Sequence, residues 1–127
     1  VRREGDDLTI VSYSRTAALA EQAAEELADG GIRAEVIDLR SLKPIDWERC
    51  VMSVGKTHRL LVVEEDGRFA GAGAEIAATL GERCFNELQA PPVRLGGLDM
   101  PAPFNASLEK STVPQVEDIV AAARQTV

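Results

Sequence analysis

Histidine is nearly absent from this sequence: His58 is the single one in 127 residues. Cysteine is scarce as well, with Cys50 and Cys84 alone, and aromatic side chains make up 4% of the chain. A zinc centre needs four converging donors, and one histidine with two cysteines on separate helical stretches does not supply them. Neither cysteine has a histidine near it in sequence, and no Gly-x-Ser-x-Gly elbow occurs, so both usual nucleophile signatures are missing. Positive charge is outnumbered, 14 Lys and Arg against 21 Asp and Glu, and the net charge of −7 argues against nucleic acid and anionic membrane as partners. No apolar run approaches bilayer length, and no signal peptide is expected from the residues given.

What is present fits one globular domain spanning residues 1–127, with 45% apolar and 28% charged residues. Its start, Val1-Arg2-Arg3-Glu4, is not an initiator sequence and is expected to belong to a longer chain. The sequence is organised around Arg59–Ala78. Leu60-Leu61-Val62-Val63 has the unbroken apolar character of a strand buried on both faces. Glu64-Glu65-Asp66 follow, then a loop with Gly67, Gly71 and Gly73 that opens an alanine-rich helix. Gly71-x-Gly73 lacks the third glycine of a dinucleotide fingerprint, and no Gly-Lys-Ser/Thr is present. The glycines therefore read as a helix entry where backbone must pass close to its neighbours.

The remaining elements alternate. Leu8–Tyr13 is a strong strand, and Val1–Glu4 a possible edge strand before it. Thr16–Asp29 carries a 3.6-residue stripe at Leu19/Ala20, Ala23/Ala24 and Leu27, closed by Gly30-Gly31. Ala34–Leu39 is a second strand, and Asp46 is a plausible N-cap for a helix buried through Trp47, Cys50, Val51 and Val54. The helix after the central strand is predicted to reach about Leu88, with Ile76, Ala77, Leu80 and Cys84 inward. Beyond Pro91-Pro92 comes a strand near Val93–Leu95 and a proline-spaced loop, Met100–Phe104. Thr112-Val113-Pro114-Gln115, with an early-helix proline and capping-box spacing, opens a final helix with Val116, Ile119, Val120, Ala123 and Val127 inward. This alternation predicts a three-layer α/β/α domain around a mostly parallel sheet.

Few side chains suggest chemistry. Both cysteines fall on apolar helical positions and read as buried, reduced thiols of a cytosolic-type protein. His58, before the central strand, reads as a surface or interface residue rather than a base. Glu64, Glu65 and Asp66 are a candidate acid/base pair or magnesium ligand set. Alternation along a strand, however, sends Glu64 and Glu65 to opposite faces. Ser12-Tyr13-Ser14-Arg15 ends the first strand near the expected topological switch point, where it is either a ligand-binding turn or an ordinary helix entry.

The order of segments resembles the C-terminal domain of the transketolase-like thiamine diphosphate enzymes. The resemblance rests first on Glu4-Gly5-x-Asp7-Leu8-Thr9-Ile10-Val11 and Ala34-Glu35-Val36-Ile37-Asp38-Leu39-Arg40-Ser41-Leu42-Lys43-Pro44-Ile45-Asp46. Ser53–Thr57, Gly73–Ala77, Ala90-Pro91, Val93-Arg94, Asp99–Pro103 and Val113–Ile119 narrow it to the beta subunit of the 2-oxo acid dehydrogenase decarboxylase component. The resemblance implies a five-stranded sheet with Leu8–Tyr13 central, Val93–Leu95 at one edge and the chain start as an antiparallel edge. It implies an oxidoreductase parent whose thiamine diphosphate and magnesium belong to other domains, so that this fragment is inactive and holds no cofactor. The implied partners are an alpha subunit, a second beta subunit and the dihydrolipoyl acyltransferase core, in a bacterial cytoplasm rather than a mitochondrial matrix. The residues implied for acyltransferase docking are Glu87, Gln89 and the carboxylate at Val127. Gln89 stands where the family often carries aspartate, and the loop Glu65–Ala70 is poorer in proline and tryptophan than the family pattern. Transketolase and deoxyxylulose-phosphate synthase are the alternative parents, and a stand-alone small-molecule-binding module is the alternative from another class.

Overall fold

The computed structural model describes residues 1–40, 42–67, 71–97 and 113–127. Four parallel strands form the sheet: β1 (Leu8–Ser12), β2 (Ala34–Asp38), β3 (Leu60–Gly67) and β4 (Val93–Gly97), in the order β2-β1-β3-β4. The described helices are α1 (Arg15–Asp29), α2 (Trp47–Thr57), α3 (Ala72–Arg83) and α4 (Val116–Thr126). Ile10 lies opposite Val36 in β2 and Leu61 in β3, so three apolar runs meet in register.

Alternation along the strands splits the core into two layers. Leu8, Ile10, Val36, Leu61 and Val63 face α1 and α4. Val11, Ile37, Leu39, Leu60 and Val62 face α2 and α3. Both faces are covered by helices, which is why the strands read as unbroken apolar runs. The three-layer α/β/α expectation holds.

Among the described residues the sheet has four strands rather than the expected five. Val1–Glu4 forms a single antiparallel bridge, Arg3 to Val36. Arg2 N–H donates to the Val36 carbonyl at 2.8 Å, and Val36 N–H donates to the Arg3 carbonyl at 2.8 Å. Two residues thus share one partner, as in a bulge, and the regular ladder does not continue. Gly5 then turns the chain beneath β2, where a Cβ would lie 2.4 Å from the Ala34 carbonyl carbon. The side chain of Arg2 fixes the segment through Glu21 (2.7 Å) and Asp38 (3.1 Å).

Helix ends follow local chemistry with three corrections. Gly31, at φ 88, donates to Ala28 O and Ile32 to Leu27 O, the paired bonds of a Schellman close to α1. Asp46 caps α2 by accepting from Arg49 N–H at 3.1 Å. Helix α3 ends at Arg83 rather than Leu88: Cys84 leaves helical geometry at φ −110 and ψ 20, and a separate turn follows, closed by Glu87 and Leu88 N–H on the Cys84 carbonyl at 2.9 and 3.0 Å. The capping box of α4 is Gln115 with Asp118, so Pro114 precedes the cap instead of occupying the first turn. Thr112, expected in that box, and the loop Met100–Phe104 lie outside the described residues. Val127 is 48% exposed, contrary to the inward expectation, and Thr126 takes the buried position.

Candidate functional site

The carboxyl edge of the sheet, where β1 and β3 diverge into helices, is the customary ligand crevice of such folds. Among the described residues, the chain's own side chains bond to one another here. Ser12 Oγ lies 2.7 Å from Thr16 Oγ1 and 2.8 Å from the Val63 carbonyl, and the Thr16 hydroxyl donates to the Tyr13 carbonyl at 2.7 Å. Ser14 turns the chain from β1 into α1 with φ 58 and ψ −141, a left-handed φ that costs a non-glycine residue energy. Arg15 donates from Nε to Glu65 Oε1 at 2.9 Å and so joins the ends of β1 and β3. Of the two readings of Ser12–Arg15, the geometry favours the helix entry.

The two glutamates diverge as alternation requires. Glu65 lies at the surface with Arg15, whereas Glu64 is 4% exposed and turns beneath α3. A Cβ built on Gly73 would stand 1.6 Å from Glu64 Oε2. The second residue of α3 is glycine because a buried carboxylate occupies the space beside it. A helix N-terminus favours a negative charge there. The side chain of Asp66, third of the acidic run, lies outside the described residues. Among the described residues, no group of three or more His, Cys, Asp or Glu converges as a metal site.

The opposite edge carries a second polar cluster. Thr9 Oγ1 is 2.7 Å from both Ser53 Oγ and Thr57 Oγ1, inside the β1–α2 contact. Beside it the buried Glu35 carboxylate accepts from Lys56 Nζ at 2.5 Å and from Gly5 N–H at 3.4 Å. Burial pushes the Glu35 carboxyl up, but hydrogen bonds from Lys56, Ser53 and Gly5 outweigh it and leave the pKa lowered. The hydrogen bond to Glu35 correspondingly raises that of Lys56. Both thiols are buried in the α2–α3 layer. Burial, with a smaller push from Asp46, raises Cys50 to about 11, and burial followed by Glu87 raises Cys84. Such thiols are inert at neutral pH.

At the same edge stand two of the three expected docking residues. His58 ends α2 in the left-handed conformation, φ 65. Its carbonyl accepts from Gln89 N–H at 2.9 Å, and its Nδ1 is 2.7 Å from the Glu87 carbonyl. A carbonyl only accepts, so Nδ1 carries the proton. Glu87 and Gln89 are exposed. Val127 is not part of this group. It follows α4, which packs on α1 in the other helical layer. Phe85, one residue past Cys84 and off the inward stripe of α3, is 78% exposed.

The family model for the transketolase C-terminal domain matches residues 1–119. The chain belongs to this family. This transketolase C-terminal domain is 47% identical over 125 residues to "Pyruvate dehydrogenase E1 component subunit beta-1, mitochondrial" of Arabidopsis thaliana, covering 98% of this chain and 34% of that protein. It is 46% identical over 127 residues to "Pyruvate dehydrogenase E1 component subunit beta" of Porphyra purpurea, covering all of this chain and 38% of that protein. Among solved structures, "Split gene transketolase, inactive beta4 tetramer" superposes with a TM-score of 0.79 at 33% identity, covering 98% of this chain and 39% of that one. The chain thus spans about a third of the length of the curated relatives it matches.

These relatives correct one expectation. Those from Arabidopsis, Oryza sativa, Dictyostelium discoideum and Caenorhabditis elegans are mitochondrial by name, against the bacterial cytoplasm favoured from the sequence. The error has a physical source. Buried, reduced cysteines reflect how a domain packs, and they do not encode the compartment to which a chain is delivered.

Proposed function

We propose that this chain is the assembly and partner-docking domain of the beta subunit of a pyruvate-type 2-oxo acid dehydrogenase. The observation that carries the reading is the 47% identity to a pyruvate dehydrogenase beta subunit, sustained over 98% of this chain. In this reading the parent carries out thiamine-dependent oxidative decarboxylation, and an alpha subunit and a second beta subunit are the neighbours. The acyltransferase core docks on the exposed edge bearing Glu87 and Gln89, and the acidic balance of the chain speeds its encounter with a basic partner.

Thiamine diphosphate and magnesium are assigned to the rest of the parent. The described residues of this domain do not fit them: Glu64 fills the space beside Gly73, and Glu65 faces Arg15 on the other side. The domain's work is therefore mechanical. Its two apolar layers make a rigid block, and its edges meet neighbours.

The test grafts this chain in place of the matching third of the Arabidopsis subunit and co-expresses it with the alpha subunit. The expected result is an assembled enzyme with pyruvate-dependent activity. A folded graft that fails to assemble with alpha would refute the reading. A second reading, the corresponding part of a transketolase, is favoured by the 0.79 TM-score to a split-gene transketolase. Ketol transfer by the analogous transketolase graft, without assembly in the pyruvate dehydrogenase one, would select it.

A further inference from the structure

A cavity of about 330 Å³ lies at the carboxyl end of the edge strand β2, where the chain turns through Pro44 into α2. Ile37 and Leu39, at 3% and 6% exposure, form its buried apolar side together with the Pro44 ring. Asp38, Arg40, Asp46 and Arg49 supply its charged groups. The volume is at the small end of what ligand sites enclose, with room for a small metabolite rather than a dinucleotide.

The four charges are not equivalent. The Asp38 carboxylate already accepts from Arg2 at 3.1 Å. Asp46 is turned onto the Arg49 backbone N–H, also at 3.1 Å, as the cap of α2. Both acids are therefore engaged. The guanidinium groups of Arg40 and Arg49 make no hydrogen bond or ion pair among the described residues, and both residues are exposed. Each keeps its planar fork of N–H donors, the geometry that grips a carboxylate or phosphate head through two parallel bonds.

The surrounding charge has the matching sign. From Arg33 to Lys56 the sequence holds five cations against four acids, one positive charge in excess, whereas the whole chain stands at −7. An anion is repelled by the chain as a whole and attracted at this corner. Arginines on a convex surface would select nothing further. Here they border a concavity with a buried aliphatic side, which favours an anion that also carries hydrocarbon.

We propose that this cavity binds a small organic anion, its oxyanion head held by Arg40 and Arg49 and its short aliphatic body laid against Ile37 and Leu39. The site shares no residue with the docking edge and does not depend on the docking reading.

The test titrates the whole chain with acetate, butyrate and inorganic phosphate at constant ionic strength, following arginine Nε–H and leucine and isoleucine methyl resonances by NMR. Butyrate is expected to saturate shifts at Arg40, Arg49, Ile37 and Leu39. Its affinity should exceed that of acetate about tenfold, because two more methylenes leave water. Arg40→Gln and Arg49→Gln should each raise the butyrate Kd about fivefold, the range of an exposed ion pair. Both should keep the wild-type Tm, since the backbone N–H that Asp46 accepts from remains. Arg33→Gln, whose side chain pairs with Asp6, should bind as wild type does. Butyrate tighter than phosphate assigns a carboxylate head, and the reverse, with the gain from acetate to butyrate intact, assigns a phosphate ester. Equal affinity for acetate and butyrate overturns the proposal and reduces the corner to a general attractor of anions. Absence of saturable shifts, or wild-type affinity in both arginine variants, overturns it as well.

Discussion

Replacing Gly73 with alanine tests the account of the carboxyl edge. The added Cβ would stand 1.6 Å from Glu64 Oε2, 2.7 Å from its Cδ and 3.3 Å from Val62 Cγ1. The first two are the end of a flexible side chain, but Glu64 is 4% exposed, so it has no nearby route to water. Either the carboxylate leaves the first turn of α3, or the turn shifts away from β3. Loss of the charge–dipole interaction costs about 1–2 kcal/mol. A buried charged group pushed off its contacts costs about 1–3 kcal/mol more. Alanine returns about 1 kcal/mol of helix propensity over glycine. The net expectation is a destabilisation of about 1–4 kcal/mol, or about 4–15 °C in Tm for a domain of this size. Gly55→Ala is the control, since nothing lies within 4 Å of a Cβ at that helical position. It should be neutral or stabilise by up to about 1 kcal/mol. Urea unfolding of both variants and of Gly73→Ala combined with Glu64→Ala decides the matter. The double variant, its clash removed, should lose less than the sum of the single losses. A Gly73→Ala variant as stable as Gly55→Ala would refute the packing of Glu64 against α3.

The remaining expectations concern groups elsewhere in the domain. Asp46→Ala removes the cap on Arg49 N–H and should cost about 1 kcal/mol in urea unfolding, with little change in m. Lys56→Ala leaves the Glu35 carboxylate buried with weaker donors and should cost about 1–3 kcal/mol near neutral pH. Because the Glu35 carboxyl is held below its ordinary value, its contribution is full above the unfolded carboxyl pKa and is lost as pH falls through the folded one. The Lys56 contribution has the opposite sense, full below the ordinary lysine value and lost as pH rises through the raised one. Glu35→Gln should therefore flatten the acid limb of the stability–pH curve, and an unchanged limb would assign it to other carboxylates. With both thiols buried and raised, Cys50 at about 11, a disulfide-exchange reagent at pH 8 should label Cys50 and Cys84 far more slowly in the native chain than in denaturant. Equal rates would show that the α2–α3 layer opens readily.

Much of this fold was determined by the sequence itself, because its signals are local. The apolar runs at Leu8, Ala34 and Leu60 were strands wherever they ended up, and the stripes of α1 and α2 fixed their buried faces within a few turns. The Asp46 cap and the Gly30-Gly31 close were readable for the same reason: each is satisfied within a few residues. The divergence of Glu64 and Glu65 followed from strand alternation alone. Tertiary structure decided everything that required a partner distant in sequence. Glu35 is tied by Lys56, and Glu64 is placed by the missing Cβ of Gly73, a pairing that no spacing rule announces. The expected edge strand became one bridge because Arg2 and Arg3 share Val36. The three expected docking residues were separated by layer: Glu87 and Gln89 are tied to His58, while Val127 follows the helix packed on α1. His58, a bland residue in the sequence, found Glu87 and Gln89 only when the end of α2 met the turn after α3. Local periodicity states which face a residue shows, but only the closed chain brings that face to its partner.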